Sequence, residues 1–147
     1  MEEMVNREVI EALRVLKQMN PWSGSPEEIE TKFKWLLEEL NRIYAKETRL
    51  IFEVPKREEE RYPSWESYYD RSTDTIYLQG RYSVITFLHE YAHALGGNEI
   101  EAQAWAVLHF FTVWPEKLRA AKEGRILVRN ITGGGVWGGG RSTTMRL

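Results

Sequence analysis

The stretch that decides the reading is Val84-Ile85-Thr86-Phe87-Leu88-His89-Glu90-Tyr91-Ala92-His93-Ala94-Leu95-Gly96-Gly97-Asn98-Glu99. Val84, Leu88, Tyr91, Ala92 and Leu95 recur at the helical period, so a helix is expected here, stopped by Gly96-Gly97. His89 and His93 stand four residues apart and project from one face of it, where two imidazoles can hold one zinc ion. Glu90 is next to the first ligand but off the ligand face. From there it can take a proton from a metal-polarised water and pass it to a leaving group. Only three histidines occur in the chain. Two of them fall in this pattern, on an expected helix with a strand before it, so an incidental pair of surface histidines is the weaker explanation.

A catalytic zinc site has three protein ligands and an open position. With no cysteine in the chain, the third ligand must be His, Asp or Glu, and two glutamates compete. Asn98 as N-cap puts Glu101 at the third helical position, where a capping box gives it a structural task. Glu99 has no such task and shares a face with Ala102 and Ala106, small residues that let this helix pack close to the zinc helix. Glu101 shares a face with Trp105 and Leu108. The spacing favours Glu99 and leaves Glu101 as the alternative. His109 lies further along and is expected outside the ligand set, supporting the site or on the surface.

Working outward, Val5, Val9, Ala12, Leu13 and Leu16 predict an amphipathic helix over about 3–19, ended by Asn20-Pro21. Ser25-Pro26-Glu27-Glu28 forms a capping box for a second helix running to about 46. Thr48–Val54 reads as a first strand. Trp65–Asp70 and Asp74–Gln79 read as a hairpin about Arg71-Ser72-Thr73. Helices follow over Asn98–Val113 and Pro115–Glu123, and a late strand over Arg125–Ile131. From Gly133 the glycine-rich run around Val136-Trp137 reads as a flexible tail. The expected class is α+β: N-terminal helices, a small three-stranded twisted sheet, a zinc-binding helix and a glutamate helix. Residues 1–131 form one domain and 132–147 the tail.

The chain has 147 residues, enough for one core, and its 42% hydrophobic content argues against global disorder. A net charge of −2 carries no electrostatic signature of a nucleic-acid partner. The N-terminus lacks the apolar run of a signal peptide, and no stretch approaches the length of a membrane span. A soluble cytoplasmic protein is expected.

His89-Glu90-Tyr91-Ala92-His93 followed by Glu99 resembles the zincin metallopeptidases of the gluzincin branch. In ImmA/IrrE-like peptidases the second helix is similar to E-x-x-A-N-x-F-A, and this chain reads Glu99-Ile100-Glu101-Ala102-Gln103-Ala104-Trp105-Ala106. The minigluzincins look similar as well. The specific overlap covers Asp74 to about Ala106. The spacing His93-x-x-Gly96-x-x-Glu99 also resembles the metzincin arrangement. Either resemblance implies Glu99 as ligand, Zn2+ as cofactor and a peptide or protein substrate. The resemblance further implies that Thr75–Gln79 edges the cleft and pairs with an extended substrate, while Tyr68, Tyr69, Tyr77 and Tyr82 include candidate oxyanion stabilisers. It also suggests that the Trp137 segment lies in the cleft as an inhibitory tail. Two other readings stay open, a regulatory or binding protein on the same scaffold with little turnover, and a structural protein of a mobile element.

Overall fold

Asn6 begins the first helix, α1 (Arg7–Gln18), by accepting the backbone N–H groups of Glu8 and Val9 on its side chain, two of the donors a helix start leaves unpaired. Val5, expected on the buried face, precedes this cap and is 49% exposed. The computed structural model describes residues 5–55, 66–122, 128–129, 136–137 and 147. The second helix, α2 (Pro26–Tyr44), opens on the expected capping box of Ser25 and Glu28 and stops at Ala45, which takes a left-handed φ of 54°. Val9, Leu13 and Leu16 of α1 and Phe33, Leu36 and Leu40 of α2 enter one core without solvent exposure.

A three-stranded mixed sheet packs against these helices. It consists of β1 (Arg49–Glu53), β2 (Tyr68–Asp70) and β3 (Thr75–Gln79), in the order β1-β3-β2. β1 runs parallel to β3, with Arg49 opposite Thr75, and β2 runs antiparallel, with Tyr68 opposite Tyr77. The expected hairpin is therefore present, although β2 is shorter than expected and Trp65 lies outside the described residues. The placement of Thr75–Gln79 at the cleft edge is overturned. β3 is central, its hydrogen-bonding sides are taken by β1 and β2, and among the described residues β1 and β2 are the outer strands. The turn folds β2 back along one side of β3 while β1 occupies the other.

Two helices then complete the core. Ser83 caps α3 (Val84–Ala94) through Thr86 N–H, and α3 buries Val84, Phe87, Leu88, Tyr91 and Ala92. The Tyr91 hydroxyl donates to Asn41 Oδ1 at 2.9 Å and Asn41 Nδ2 donates to the Thr48 carbonyl at 2.9 Å. These bonds tie α3 to α2 and to the entry of β1. Gly96, at a φ of 96°, turns the chain into α4 (Glu99–Val113). Ala102 and Ala106 are fully buried, which lets α4 lie close along α3. Pro115 opens α5 (Pro115–Lys122), as a proline at a first helical position does.

Beyond α5, β4 (Val128–Arg129) pairs antiparallel with β5 (Val136–Trp137), and the Leu147 carbonyl accepts the Ile85 N–H at 2.9 Å. The remainder of the expected late strand and of the glycine-rich tail lies outside the described residues. The architecture is α+β, as expected. Among the described residues no helix is long and apolar enough to cross a membrane.

Candidate metal centre

Three potential ligand atoms meet where α3 turns into α4. His89 Nε2 and His93 Nε2 are 3.2 Å apart, and Glu99 Oε1 is 3.0 Å from the first and 2.7 Å from the second. A tetrahedral zinc ion with bonds of about 2.0–2.1 Å spaces its ligand atoms about 3.3 Å apart, so this triangle is near the size such an ion requires. The corner that builds it is short. Gly96 reverses the chain, and Asn98 and Glu101 then exchange backbone-to-side-chain hydrogen bonds of 2.9 and 2.8 Å that start α4. Glu101 is thus engaged in the capping box, and Glu99 is the glutamate brought to the histidines.

The imidazoles are oriented from behind. His93 Nδ1 lies 2.9 Å from the Gly97 carbonyl. A carbonyl can only accept, so Nδ1 carries a proton and Nε2 is the nitrogen directed at the triangle. His89 Nδ1 lies 2.7 Å from Gln103 Oε1 in the same manner. Partners of this kind fix the tautomer and the ring direction of a metal-binding histidine. In the neutral rings two nitrogen lone pairs and a carboxylate oxygen converge, a set of acceptors that a cation satisfies. The donor set and its spacing fit zinc. Burial pushes the Glu99 carboxyl up, but hydrogen bonds and charge from His89 and His93 outweigh it and hold the group below the ordinary carboxylate value.

Glu90 faces the same space and is 8% exposed. Burial pushes its carboxyl up to about 7 against the opposing charges of His89 and His93, and Glu99 adds to the rise. The Glu90 carboxyl makes no hydrogen bond to another described residue, which leaves it available to a proton in the cleft. Ser67, Tyr68, Tyr69, Arg71, Glu90, His93 and Glu99 line a cavity of about 330 Å³.

Of the four candidate tyrosines, Tyr68 and Tyr69 line this cavity. Tyr69 donates to Asp74 Oδ1 at 2.7 Å, and burial with that bond pushes its hydroxyl up to about 12. Tyr68 stacks on Tyr77, with centroids 4.7 Å apart. Tyr82 donates to Glu30 at 2.6 Å and packs against Phe33 and Phe52, away from the cavity lining.

His109 is neither at the surface nor beside the ligands. It is fully buried, its Nδ1 donates to the Trp105 carbonyl at 2.8 Å, and its Nε2 accepts the Asn6 N–H at 2.9 Å. Burial holds its pKa below the ordinary histidine value. Arg71 and Ser67 were read from sequence only as the connection and the first strand of the hairpin. Their approach to the site is a long-range consequence of the sheet, with no local signal beyond a hairpin that directly precedes the histidine helix. No family model matches the chain, and comparison with curated proteins and with solved structures returns no match.

Proposed function

We propose that this chain is a zinc-dependent metallopeptidase, with His89, His93 and Glu99 as metal ligands and Glu90 as general base, acting on a peptide or protein substrate in the cytoplasm. The observation that carries the reading is the triangle of acceptor atoms at 2.7–3.2 Å with both rings oriented from behind by Gly97 and Gln103. Zinc in such a site supplies Lewis acidity, polarising a carbonyl and acidifying water.

The chain's own groups supply the proton transfers. Glu90 takes a proton from the attacking water as the oxygen bonds to the peptide carbonyl carbon. It then gives that proton to the amide nitrogen as the C–N bond breaks. A carboxyl near 7 is suited to both transfers at neutral pH. The outer strand β2, whose Tyr68 and Tyr69 line the cavity, has a side that no other described strand pairs, which suits the addition of an extended chain.

Glu90→Gln tests the reading. The variant should retain about one zinc per chain while peptide hydrolysis falls by about a hundredfold or more. Undiminished cleavage by the zinc-loaded variant, or no cleavage of a diverse peptide library by the zinc-loaded parent, would overturn it.

A further inference from the structure

The cavity beside Glu90 carries one cationic side chain among the described residues, Arg71. It stands at the head of the turn between β2 and β3, and the backbone on either side is pinned. Asp70 Oδ1 accepts both the N–H and the hydroxyl of Ser72, at 3.0 and 2.7 Å. Asp74 takes a φ of 49° and accepts the hydroxyls of Tyr69 and Thr48 at 2.7 and 2.9 Å. Arg49 donates to the Asp74 and Thr73 carbonyls from the neighbouring strand.

The Arg71 side chain is exposed, and its guanidinium has no hydrogen bond or ion pair with another described residue. The turn is thus ordered by other residues, and among the described residues nothing holds the guanidinium back from a ligand. The cavity wall also bears the carboxyl groups of Glu90 and Glu99, which leaves Arg71 as its one permanently cationic side chain among the described residues.

We infer that Arg71 is a specificity residue that binds a carboxylate of the substrate, either an acidic side chain or the free C-terminal carboxyl of a peptide lying beside Glu90. The inference rests on the peptidase reading. A guanidinium presents paired N–H donors that match a carboxylate in a bidentate arrangement. Its fixed turn lowers the ordering cost of forming that pair.

The test uses matched peptides with the zinc-loaded protein, Arg71→Met and Arg71→Lys. One pair differs only as Asp against Asn within an amidated library. The other differs only as C-terminal acid against amide. Cleavage is read as kcat and KM, and equilibrium binding is measured separately on the zinc-loaded Glu90→Gln protein and on its Arg71→Met derivative. The parent should prefer the carboxylate member by about tenfold, mainly in KM, as expected for a charge-assisted pair in a partly open site. Arg71→Met should abolish the preference and Arg71→Lys should keep part of it.

The peptide pair that responds identifies the source of the carboxylate. Equal affinity of the parent for both members of each pair, or a preference that survives Arg71→Met, overturns the assignment. Cleavage without any carboxylate preference refutes Arg71 and leaves the peptidase reading standing. An Arg71-dependent binding preference without cleavage does the reverse.

Discussion

Replacing Glu90 by Gln in metal-free protein should convert a buried acid's pH dependence into a measurable stability difference. Glu90 is 8% exposed, and its carboxyl is pushed up to about 7 from 4.5, chiefly by burial. A carboxyl raised in the folded state holds its proton more tightly there. Its contribution is fully present below about 4.5 and is lost as pH rises through about 7. At about 1.4 kcal/mol per pH unit, that interval amounts to about 3 kcal/mol. Glutamine has nearly the same shape and does not titrate, so the two proteins should be of similar stability near pH 4.5. By pH 8 the variant should be favoured by about 3 kcal/mol, or about 6–12 °C in melting temperature for a chain of this size. Urea and thermal denaturation in chelator across this range measure the difference. A gap that stays constant with pH would refute the burial argument. Adding one equivalent of zinc should narrow the gap, because a nearby dication draws the carboxyl down.

Two further outcomes separate site from scaffold. Glu99→Gln should weaken zinc binding by more than about a hundredfold, whereas Glu101→Ala should leave it within a few-fold and cost up to about 1 kcal/mol of stability through the capping box; titration against a competing chelator decides, and equal losses of affinity would remove Glu99 from the ligand set. His109→Leu should destabilise by about 2–4 kcal/mol by leaving the Asn6 N–H and the Trp105 carbonyl without their buried partner. In the parent, burial holds His109 below its ordinary 6.5, so it costs stability as pH falls below that value, by up to about 1.4 kcal/mol per pH unit and opposite in sign to Glu90. His109→Gln should erase that component in denaturation curves between pH 5 and 7.

The sequence carried the site's local half well. Helical period marked α3, the four-residue spacing placed both imidazoles on one face, and Asn98 with Glu101 announced the start of α4, which let Glu99 be told from its neighbour by elimination of a structural task. The sheet order was not legible, because alternation along Thr75–Gln79 says which residues face inward and nothing about which strands lie alongside. The expectation of an edge position for Thr75–Gln79 came from the resemblance alone, and nothing along the strand could check it. The burial of His109 was obscured for a related reason. Phe110, Phe111, Val113 and Trp105 make α4 apolar on several sides, so no single stripe told which side of the helix enters the core. Arg71 was hidden by its turn, since Arg71-Ser72-Thr73 reads as a connection until the fold brings it to the cleft.

The groups that shape the metal triangle, His89, His93, Gly97, Glu99 and Gln103, all fall within fifteen consecutive residues. Closing such short loops costs little entropy, and contacts of low sequence separation form early in folding. The α3–α4 hairpin can therefore bring the three candidate ligands together without the parallel pairing of β1 with β3, which joins more distant segments, and an ion bound there would staple the hairpin. The wall bearing Arg71 and Tyr69 belongs to a different segment, the β2–β3 hairpin, whose partners are also close in sequence, Asp70 pairing with Thr75. The candidate ligands and the wall beside them thus come from separate stretches of chain, the α3–α4 corner and the β2–β3 hairpin that packs on α3.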